Sequence, residues 1–440
     1  MEKVVIVGAG PCGLLLAHYL LRRGTRYQVE IYERLGDPRE VALSNSRTIP
    51  YSLNERAFRA LRPIDGLEEA VKAGCVENWM TVFHKADGTT QLVRRKEPIF
   101  NTNRISLVKT LLSSLLAMAE TSRLKINFNC KCINVDFDRQ TLLFEPVSPD
   151  ATVEKPFLAT YDRLVGADGS RSSVRSQFLK TPSFDFEQTT YRSYYKTVFF
   201  PSKNNQGHLQ PQAFHVLRPE EGITFTASPQ IGSGYIGVIY IPRGKQHLLN
   251  FESLANVKEF FRQYLPDISP LLSDEEAENF MKRPISNQIK LRCSRYHHGE
   301  TVLLIGDAAH AVSATTGQGC NSALEDANIF DSLLDECEDN WELALAKFTE
   351  KRQPDAVALW ELDDNMVPVS KVLFVEFILR ERWAKIANRW FPNLVAPALR
   401  DCLIDSNFSY AEILNIYSGW VAKVKASNQK IASRSILNQK

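Results

Sequence analysis

The hydrophobic pattern at the amino terminus predicts a strand, a helix and a second strand. Residues 4–7 are the apolar, β-branched run VVIV, which is typical of a buried parallel strand. The stretch LLLAHYLLRRG spaces its leucines as a helix does, and YQVEIYE alternates as a strand that ends at Glu33. The pattern therefore indicates a βαβ unit.

The pattern changes twice further along the chain. RISLVKTLLSSLLAMAE, from Arg104 to about Glu120, predicts an amphipathic helix, and strands follow it up to about residue 180. From about 180 to 290, short strands separated by Pro and Gly predict an antiparallel sheet, with one helix in NVKEFFRQYLP. TVLLIGDAAH returns to a buried strand near residue 300. Beyond Asn365 the pattern is helical up to a frayed basic tail, SNQKIASRSILNQK.

These elements predict an α/β fold with three parts. A Rossmann-type dinucleotide-binding domain is interrupted by an antiparallel β-sheet substrate domain, and a C-terminal helical region follows. The predicted boundaries are 1–78, 101–180 and 291–365 for the dinucleotide-binding domain, 79–100 and 181–290 for the substrate domain, and 366–440 for the helices that cover the substrate cavity.

Length, charge and cysteine content limit the possible functions. The 440 residues are enough for two or more cores, since single cores stop growing near ~250–300 residues. The 53 basic and 51 acidic side chains leave a net charge of +2, which provides no field to attract nucleic acid. The eight scattered cysteines form no C-x-x-C pair, which predicts reduced thiols, no metal site and a cytoplasmic location. No secretory signal is predicted, because the first three residues lead directly into VVIVGAG without a basic segment or a cleavage site. No transmembrane segment is predicted, because charged residues interrupt the best apolar candidate, near VLFVEFIL.

The loop after the first strand has the spacing of a dinucleotide-binding loop. Its glycines serve a tight turn, the approach of backbone to a pyrophosphate, and close helix–sheet packing. The helix that follows points free N–H groups at the phosphates, and Glu33, twenty residues after the last glycine, can accept hydrogen bonds from a ribose. The predicted cofactor-binding residues of this loop are Gly8, Ala9, Gly10, Pro11, Cys12 and Gly13.

A second glycine triplet has the same spacing in a different context. Gly232, Gly234 and Gly237 precede the strand-like VIYIP and no helix. Without a helix N-terminus there is no dipole to hold a phosphate, so we predict a hairpin turn here.

Two further strands end in an acidic residue. LVGAD ends in Asp168 and TVLLIGD ends in Asp307, so both carboxylates are predicted at the carboxyl edge of the sheet, where open α/β sheets bind ligands. The small-residue loop TTGQGCN, residues 315–321, allows a flat ring such as a flavin to lie against the backbone, and it starts a helix whose positive end would stabilise negative charge there. His310, between the two, is predicted to be a packed structural residue and not a base.

In these motifs the chain resembles the group A flavoprotein monooxygenases, which share the para-hydroxybenzoate hydroxylase fold, and among them the kynurenine 3-monooxygenases. The segments SRTIPYSLNERAFRAL, FFRQYLPD, LLIGDAAHAV and GQGCNSALEDANIFDSLL carry the likeness, which spans nearly the whole chain. The resemblance implies an FAD-dependent enzyme that consumes NADPH or NADH and hydroxylates an aromatic or conjugated small molecule through a flavin C4a-hydroperoxide. It assigns no acid–base catalytic residue, because the chemistry is centred on the flavin.

The resemblance also implies roles for individual residues. Glu33 and Arg34 match contacts on the ribose and adenine side, Arg47 and Arg104 match flavin-pocket contacts, Asp307 matches the ribityl ligand, and Cys320 and Asn321 match backbone contacts to the flavin ring. Asp168, Gly317 and Gly319 complete the predicted cofactor-binding set.

The substrate shell departs from the family pattern. The family holds a substrate carboxylate with an arginine and with a tyrosine about a dozen residues later, whereas this chain has Thr81 and no tyrosine between Tyr51 and Tyr161. A buried carboxylate without its arginine would cost several kcal/mol, which disfavours L-kynurenine as the substrate. The basic run at residues 94–96 could replace the cation, but such a run is more typical of a solvated face. The other candidate pocket residues are Thr315, Thr316, Asn365, Met366 and Leu399.

Two other functions stay open at this point. An FAD-linked oxidase or dehydrogenase would bind the same cofactor without inserting oxygen into a product. A non-catalytic flavin-fold binding protein, such as an escort factor for prenylated proteins, would keep the dinucleotide loop without a redox-active flavin. We expect a small aromatic substrate, O₂ and NAD(P)H as partners, and a monomer or weak homodimer.

Overall fold

The computed structural model describes residues 1–40, 48–85, 88–120, 122–147, 155–201, 209–232, 234–404 and 408–437. Its strands, numbered in chain order, are β1 Glu2–Val7, β2 Tyr27–Tyr32, β3 Pro50–Leu53, β4 Val76–His84, β5 Thr90–Asn103, β6 Leu124–Asn127, β7 Cys130–Asp136, β8 Thr141–Pro146, β9 Phe157–Thr160, β10 Arg163–Gly166, β11 Phe186–Phe200, β12 Ala213–Leu217, β13 Thr224–Pro229, β14 Tyr235–Pro242, β15 Ser286–Cys293, β16 His297–His298, β17 Val302–Leu304 and β18 His310–Ala311. Its α-helices are α1 Pro11–Leu21, α2 Glu55–Leu61, α3 Leu67–Ala73, α4 Arg104–Met118, α5 Ser173–Phe178, α6 Leu254–Tyr264, α7 Asp274–Lys282, α8 Gly319–Glu336, α9 Trp341–Asn365, α10 Lys371–Trp390, α11 Leu399–Ile404, α12 Tyr410–Ile416 and α13 Ser418–Leu437.

A six-stranded sheet carries the predicted Rossmann-type topology. Its strand order is β16-β17-β10-β1-β2-β6, and all neighbouring strands run parallel except β16 and β17. β1 lies inside the sheet because residues 4–7 are apolar and buried. Helix α1, almost wholly buried, packs against both α4 and α8. This arrangement confirms the predicted α/β fold with a dinucleotide-binding domain.

A nine-stranded sheet forms the second part of the fold, in the order β18-β15-β11-β14-β13-β12-β4-β5-β3. Neighbouring strands pair antiparallel, except that β12 and β4 run parallel. β13 and β14 are joined at the second glycine triplet, where the Gln230 N–H donates to the Gly234 carbonyl oxygen at 2.8 Å. The triplet is thus a hairpin turn, as predicted.

Helices α6 and α7 contribute Phe261 and Phe280 to a core that also holds Phe225 and Ile239 of the nine-stranded sheet. The sequence analysis predicted α6 but not α7, because α7 is only nine residues long and its two buried apolar residues, Ala277 and Phe280, span a single turn. The exact domain boundaries stay a prediction.

Lys196 is buried in this core without a carboxylate partner among the described residues. Its ammonium group lies over the Phe280 ring, 4.8 Å from the centroid, and donates to the Met281 carbonyl oxygen at 3.3 Å. Burial, with a smaller effect of the Arg283 charge, lowers the pKa of Lys196 to about 8. The folded state therefore disfavours the charged amine.

We expect Lys196→Met to stabilise the protein at pH 7 by about 1–3 kcal/mol, since a pKa shift is worth about 1.4 kcal/mol per unit and the lost hydrogen bonds offset part of it. The free-energy cost of burying the charged Lys196 amine is present in full below its pKa in the folded protein, about 8. This cost decreases as the pH rises toward the usual pKa of lysine. Urea unfolding at several pH values measures this gain. Lys258→Met, which breaks an exposed pair with Asp274, is the control and should change stability by no more than about 1 kcal/mol. A gain for Lys196→Met that does not depend on pH would contradict the prediction.

Helices α9 to α13 enclose a third core around Leu359, Leu403, Tyr410 and Val424. One long face of α10 is exposed, and Trp383 and Trp390 are 65% and 72% accessible there. α13 continues to Leu437, so the prediction of a frayed tail is wrong for most of its length: buried Asn428 accepts a hydrogen bond from the Val369 N–H at 3.2 Å and holds the helix in place. No helix in the described part of the chain has the length and apolar character needed to span a lipid bilayer.

Candidate functional site

Four parallel strands end side by side at one edge of the six-stranded sheet. Tyr32, Val7, Gly166 and Leu304, each the last residue of its strand, are register partners across β2, β1, β10 and β17. Backbone hydrogen bonds continue this row, with Gly8 N to Tyr32 O at 2.8 Å, Ala167 N to Val7 O at 2.9 Å and Ile305 N to Gly166 O at 3.1 Å. The predicted ligand-binding residues follow these strand ends within one to three positions, so Glu33, Gly8, Asp168 and Asp307 lie at a single edge of the sheet.

The three glycines of the first loop are needed for different reasons. Gly8 has φ +109°, and a Cβ atom there would lie 2.4 Å from the Ala167 carbonyl oxygen. A Cβ on Gly13 would lie 2.3 Å from the Gly8 carbonyl oxygen, which enforces close packing of α1 on the loop. A Cβ on Gly10 would meet nothing within 4 Å. Gly10 is therefore the position at which the loop leaves room for another molecule.

Glu33, just after β2, is hydrogen-bonded to the backbone of this loop. Its carboxylate accepts hydrogen bonds from the Ala9 N–H at 2.8 Å and from the Leu35 N–H at 3.0 Å. Arg34 beside it is exposed. Arg47 lies outside the described residues, so its predicted contact stays a prediction.

Asp168 has one satisfied and one unsatisfied carboxylate oxygen. Oδ2 accepts from the Ser173 N–H at 2.6 Å at the start of α5, whereas Oδ1 is buried and has no hydrogen-bond partner in the described structure. Burial raises the pKa of Asp168, and hydrogen bonds from Ser172 and Ser173 oppose that effect. An unsatisfied buried acceptor is costly, so Oδ1 is suited to accept a hydrogen bond from a ligand.

Asp307 and Arg104 are close enough for their charges to interact, and neither side chain forms an ion pair in the part of the chain that the structure describes. Asp307 is the one exposed residue of the otherwise buried turn Gly306–Ala308, and no residue in the described ranges donates a hydrogen bond to its side chain. Desolvation by the surrounding protein raises the pKa of Asp307, while the nearby charges of His310 and Arg104 lower it. Arg104, the first residue of α4, is partly buried and makes no ion pair within the described residues. A carboxylate and a guanidinium are thus both available to a ligand.

Asp326 of α8 holds the turn that carries Asp307. Its Oδ2 accepts from the Gly306 N–H at 2.8 Å and lies 2.7 Å from His310 Nε2, while Oδ1 accepts from Arg352 Nε at 2.7 Å. All of these groups are buried. His310 is therefore a packed structural residue, as predicted, and Asp326 is a positioning residue that sequence reasoning missed.

The small-residue loop leads into α8, whose N-terminus has no side-chain cap. Thr315 donates to the Tyr191 hydroxyl at 2.9 Å, and Thr316 donates to Asp363 at 3.2 Å. Gly317 has φ +68°, and a Cβ there or on Gly10 would meet no atom within 4 Å. The loop thus presents bare backbone and two anchored threonines to the cleft.

Cys320 and Asn321 follow the loop in the first turn of α8. The Asn321 amide donates to the carbonyl oxygens of Gly317 at 2.9 Å and Ser52 at 3.0 Å, which ties the loop to β3. Burial raises the pKa of the Cys320 thiol, so the thiol stays neutral near pH 7. Gly319 also lies in this turn, with only Val312 near a Cβ built on it, at 3.7 Å.

The structure places the remaining pocket candidates in two regions. Met366 and Leu399 are buried in the C-terminal core, which Val312 also contacts from the start of the loop, and Asn365 is buried beside them and donates to Glu361 at 3.3 Å. Their predicted contact with substrate stays a prediction. Thr81 lies in the nine-stranded sheet, where its hydroxyl accepts a hydrogen bond from Arg95 at 2.6 Å.

This contact corrects the interpretation of residues 94–96. Arg94 and Lys96 are exposed, as predicted for a solvated face, but Arg95 is half-buried and turns inward. The solvated-face interpretation is therefore wrong for Arg95, whose guanidinium reaches Thr81 from the next strand. The expectation that L-kynurenine is not the substrate stays a prediction.

Tyrosines on the nine-stranded sheet and on β3 were not identified from the sequence as a group. Tyr195 pairs with Tyr240 across β11 and β14 with ring centroids 6.3 Å apart, and burial raises the pKa of both hydroxyls. Tyr195 and Tyr51 are both close enough to Arg104 for its charge to lower their pKa values, although burial raises them overall. The available signal was the alternation of side chains along β11, but it does not show which face meets the cleft.

These features fit FAD. The open space at Gly10 and the uncapped N-termini of α1 and α8 are suited to a pyrophosphate and to an anionic ring edge. Asp168 Oδ1 is an unsatisfied acceptor, and Asp307 and Arg104 supply further polar groups at the same sheet edge.

Comparison with known proteins gives a consistent result. The profile of the FAD binding domain family matches residues 1–361. Violacein synthase of Chromobacterium violaceum is 28% identical over 94% of this chain and 97% of its own, and kynurenine 3-monooxygenase of Drosophila willistoni is 30% identical over 90% and 86%. The tetrameric form of 2-methyl-3-hydroxypyridine-5-carboxylic acid oxygenase matches with a TM-score of 0.66 at 19% identity, over 90% of this chain and 95% of that one. At this identity the structural likeness shows the fold alone.

Proposed function

The chain belongs to the FAD binding domain family, and on this premise we propose that it is an FAD-dependent, NAD(P)H-consuming monooxygenase acting on an aromatic or conjugated small molecule. The observation that carries the proposal is the convergence of Gly10, Glu33, Asp168 and Asp307 at one sheet edge, opposite the bare loop before α8. The names of the relatives, violacein synthase and kynurenine 3-monooxygenase, also fit an oxygenase that acts on a small molecule.

The residues of the chain would divide the task of holding FAD. The N-terminus of α1, opened by Gly10, would hold the pyrophosphate, Glu33 the adenosine ribose, and Asp307 the ribityl chain. The N-terminus of α8 and Arg104 would stabilise negative charge at the ring. When bound, FAD supplies hydride acceptance from NAD(P)H and the transfer of one oxygen atom from O₂.

The protein's own contribution to the reaction is to orient the substrate and exclude water. Tyr195 and Tyr240 provide an aromatic face, and burial keeps their hydroxyls neutral at pH 7, so they act as hydrogen-bond donors and not as bases. Thr315 and Thr316, anchored by Tyr191 and Asp363, border the ring position. A dry cavity matters because water would divert the reducing equivalents to peroxide.

The proposed reaction predicts NAD(P)H-dependent O₂ consumption that rises when the correct aromatic compound is added. With ¹⁸O₂ present, mass spectrometry should find one ¹⁸O atom in the product. Substrate-dependent consumption without ¹⁸O in the product would identify an oxidase or dehydrogenase. No consumption with either nicotinamide donor or any aromatic compound would favour a non-catalytic flavin-fold protein.

The state of assembly and the location of the protein are part of the proposal. We keep the expectation of a monomer or weak homodimer in the cytoplasm, with NADPH or NADH as the electron donor. Size-exclusion chromatography with light scattering, over a range of protein concentrations, measures whether the protein is a monomer or a dimer.

A further inference from the structure

We propose that the exposed face of α10 docks on the surface of a lipid bilayer that contains anionic lipids. The inference goes beyond the proposed reaction and does not depend on it. It concerns a helix with two apolar faces, of which the described part of the chain covers only one.

The covered face holds α10 in a fixed orientation. Phe377 is buried and stacks on Trp420 of α13, with ring centroids 5.8 Å apart. Glu381 accepts a hydrogen bond from the Leu399 N–H, at the start of α11, at 2.9 Å. These contacts prevent α10 from turning its other side toward the protein.

The opposite face carries an apolar stripe. Its side chains recur at intervals of three or four residues, which places them on one side of the helix. Each is between 59% and 78% exposed, whereas exposed apolar residues on a protein surface usually occur singly. The members of this α10 stripe are Val372, Val375, Leu379, Trp383, Ile386 and Trp390. An exposed apolar surface of this size is typical of an interaction site.

The exposed polar residues of α10 are all cationic. The exposed residues of the helix comprise the six members of the stripe and five basic residues, with no acidic residue among them. The basic residues are Lys371, Arg380, Arg382, Lys385 and Arg389. Arg382 and Arg389 form no ion pair with any residue that the structure describes. These two guanidinium groups are therefore available to an anionic partner.

The charges indicate which partner the stripe fits. Two copies of the chain paired by this face about a twofold axis would bring the same cationic residues together, because such an interface presents one surface to itself. The carboxylates that contact these cations are already paired: Glu376 with Arg380 at 3.0 Å, and Asp401 with Lys385 at 3.1 Å. They cannot neutralise the cations of a second copy as well.

An anionic bilayer surface fits both parts of this face. Its headgroups attract the basic residues, and the boundary of its hydrocarbon accepts the apolar stripe. Trp383 and Trp390 have the amphipathic ring that is enriched at membrane–water interfaces. No helix of the described residues can span a bilayer, so α10 would lie in the plane of the membrane surface.

The test measures binding of the FAD-loaded protein to two kinds of vesicle by co-sedimentation. One kind is phosphatidylcholine alone, and the other contains about 30% phosphatidylglycerol, which gives its surface a negative potential. We expect the anionic vesicles to bind the protein about tenfold or more tightly, and this binding to weaken as salt is added, because counterions screen the headgroups.

Replacing the two tryptophans tests the apolar part of the contact. The double variant Trp383→Gln/Trp390→Gln should bind the anionic vesicles about tenfold or more weakly than the wild type. Trp79→Gln, which changes an exposed tryptophan on β4, is the control and should bind as the wild type does. Lipids brominated on their chains should quench the tryptophan fluorescence of the wild type and of Trp79→Gln, but not that of the double variant.

Replacing two arginines tests the charged part of the contact. Arg382→Gln/Arg389→Gln should also weaken binding about tenfold or more. Arg94→Gln/Lys96→Gln removes the same net charge from exposed positions on β5 and should have a much smaller effect. All of the substituted side chains are exposed, so melting temperature and flavin content should match the wild type in every variant.

The proposal is overturned if the wild type binds neither kind of vesicle, or if Trp383→Gln/Trp390→Gln binds as the wild type does. It is also overturned if no vesicle binds and light scattering finds a dimer that these two substitutions dissociate, because the stripe would then be a contact between copies. Failure of the proposed function would look different: the protein would consume no O₂ with any donor and would still bind anionic vesicles.

Discussion

Replacing Gly10 with valine should give a folded protein that does not retain FAD. Gly10 has φ −74°, which valine adopts readily, and a Cβ there would meet nothing within 4 Å, so the substitution creates no clash within the protein. The new side chain would instead occupy the space in which a pyrophosphate must approach the N-terminus of α1. We expect FAD affinity to fall by about a hundredfold or more, equivalent to roughly 3 kcal/mol.

The measurement is the flavin absorbance of the purified protein, followed by titration of the apoprotein with FAD. Gly13→Ala provides the contrast, because its Cβ would lie 2.3 Å from the Gly8 carbonyl oxygen and should lower the melting temperature of the apoprotein as well. A yellow Gly10→Val protein with wild-type affinity would show that the pyrophosphate is not held at this loop.

Replacing Asp326 with alanine should be the most damaging single change to stability outside the glycine loop. It would remove the acceptor for Gly306 N–H, separate His310 from its partner, and leave Arg352 with fewer compensating charges in a buried site. Breaking a buried ion pair costs about 3–5 kcal/mol. FAD affinity should fall too, since the turn bearing Asp307 would lose its anchor.

Urea unfolding of the apoprotein measures the loss. Glu336→Ala, which breaks an exposed pair with Lys347 at the other end of α8, is the control and should leave the stability almost unchanged. Burial raises the pKa of Asp326, but His310 and Arg352 outweigh it and hold the pKa below the usual aspartate value. The stability that this carboxylate provides is therefore present above the pKa that Asp326 has in the unfolded chain. It is lost as the pH falls through the lower pKa that Asp326 has in the folded protein. The difference between wild type and Asp326→Ala should shrink in acid, and a difference that grows would contradict this assignment.

Much of the cofactor site could be predicted because each part is local in sequence. Strand, glycine turn and acid follow one another within a few residues at Gly8, Asp168 and Asp307, so the end of a buried run already locates the sheet edge. The second glycine triplet could be distinguished from the first because a strand follows it and not a helix. In both cases a few consecutive residues are enough to make the prediction.

The substrate side was harder because it depends on strand register. The three consecutive basic residues around Arg95 do not show by themselves which of them points inward. A shift of one residue in the pairing of β4 and β5 would exchange the inner and outer faces of the strand. β4 and β5 also change register between Asn78 and Met80, so alternation counted from either end gives different answers. Asp326 was missed for a related reason: its contact with Gly306 spans twenty residues and depends on how α8 returns to the sheet.

The row of strand ends has a consequence for how the protein is made. β1 and β2 emerge from the ribosome early, but β10 adds to them only after residue 166 and β17 only after residue 304. Most of the chain must therefore be translated before the sheet is complete, and long-range parallel pairing of this kind forms slowly. Until then the apolar face of the nascent βαβ unit has no permanent cover, which makes early synthesis the stage at which chaperones would matter most.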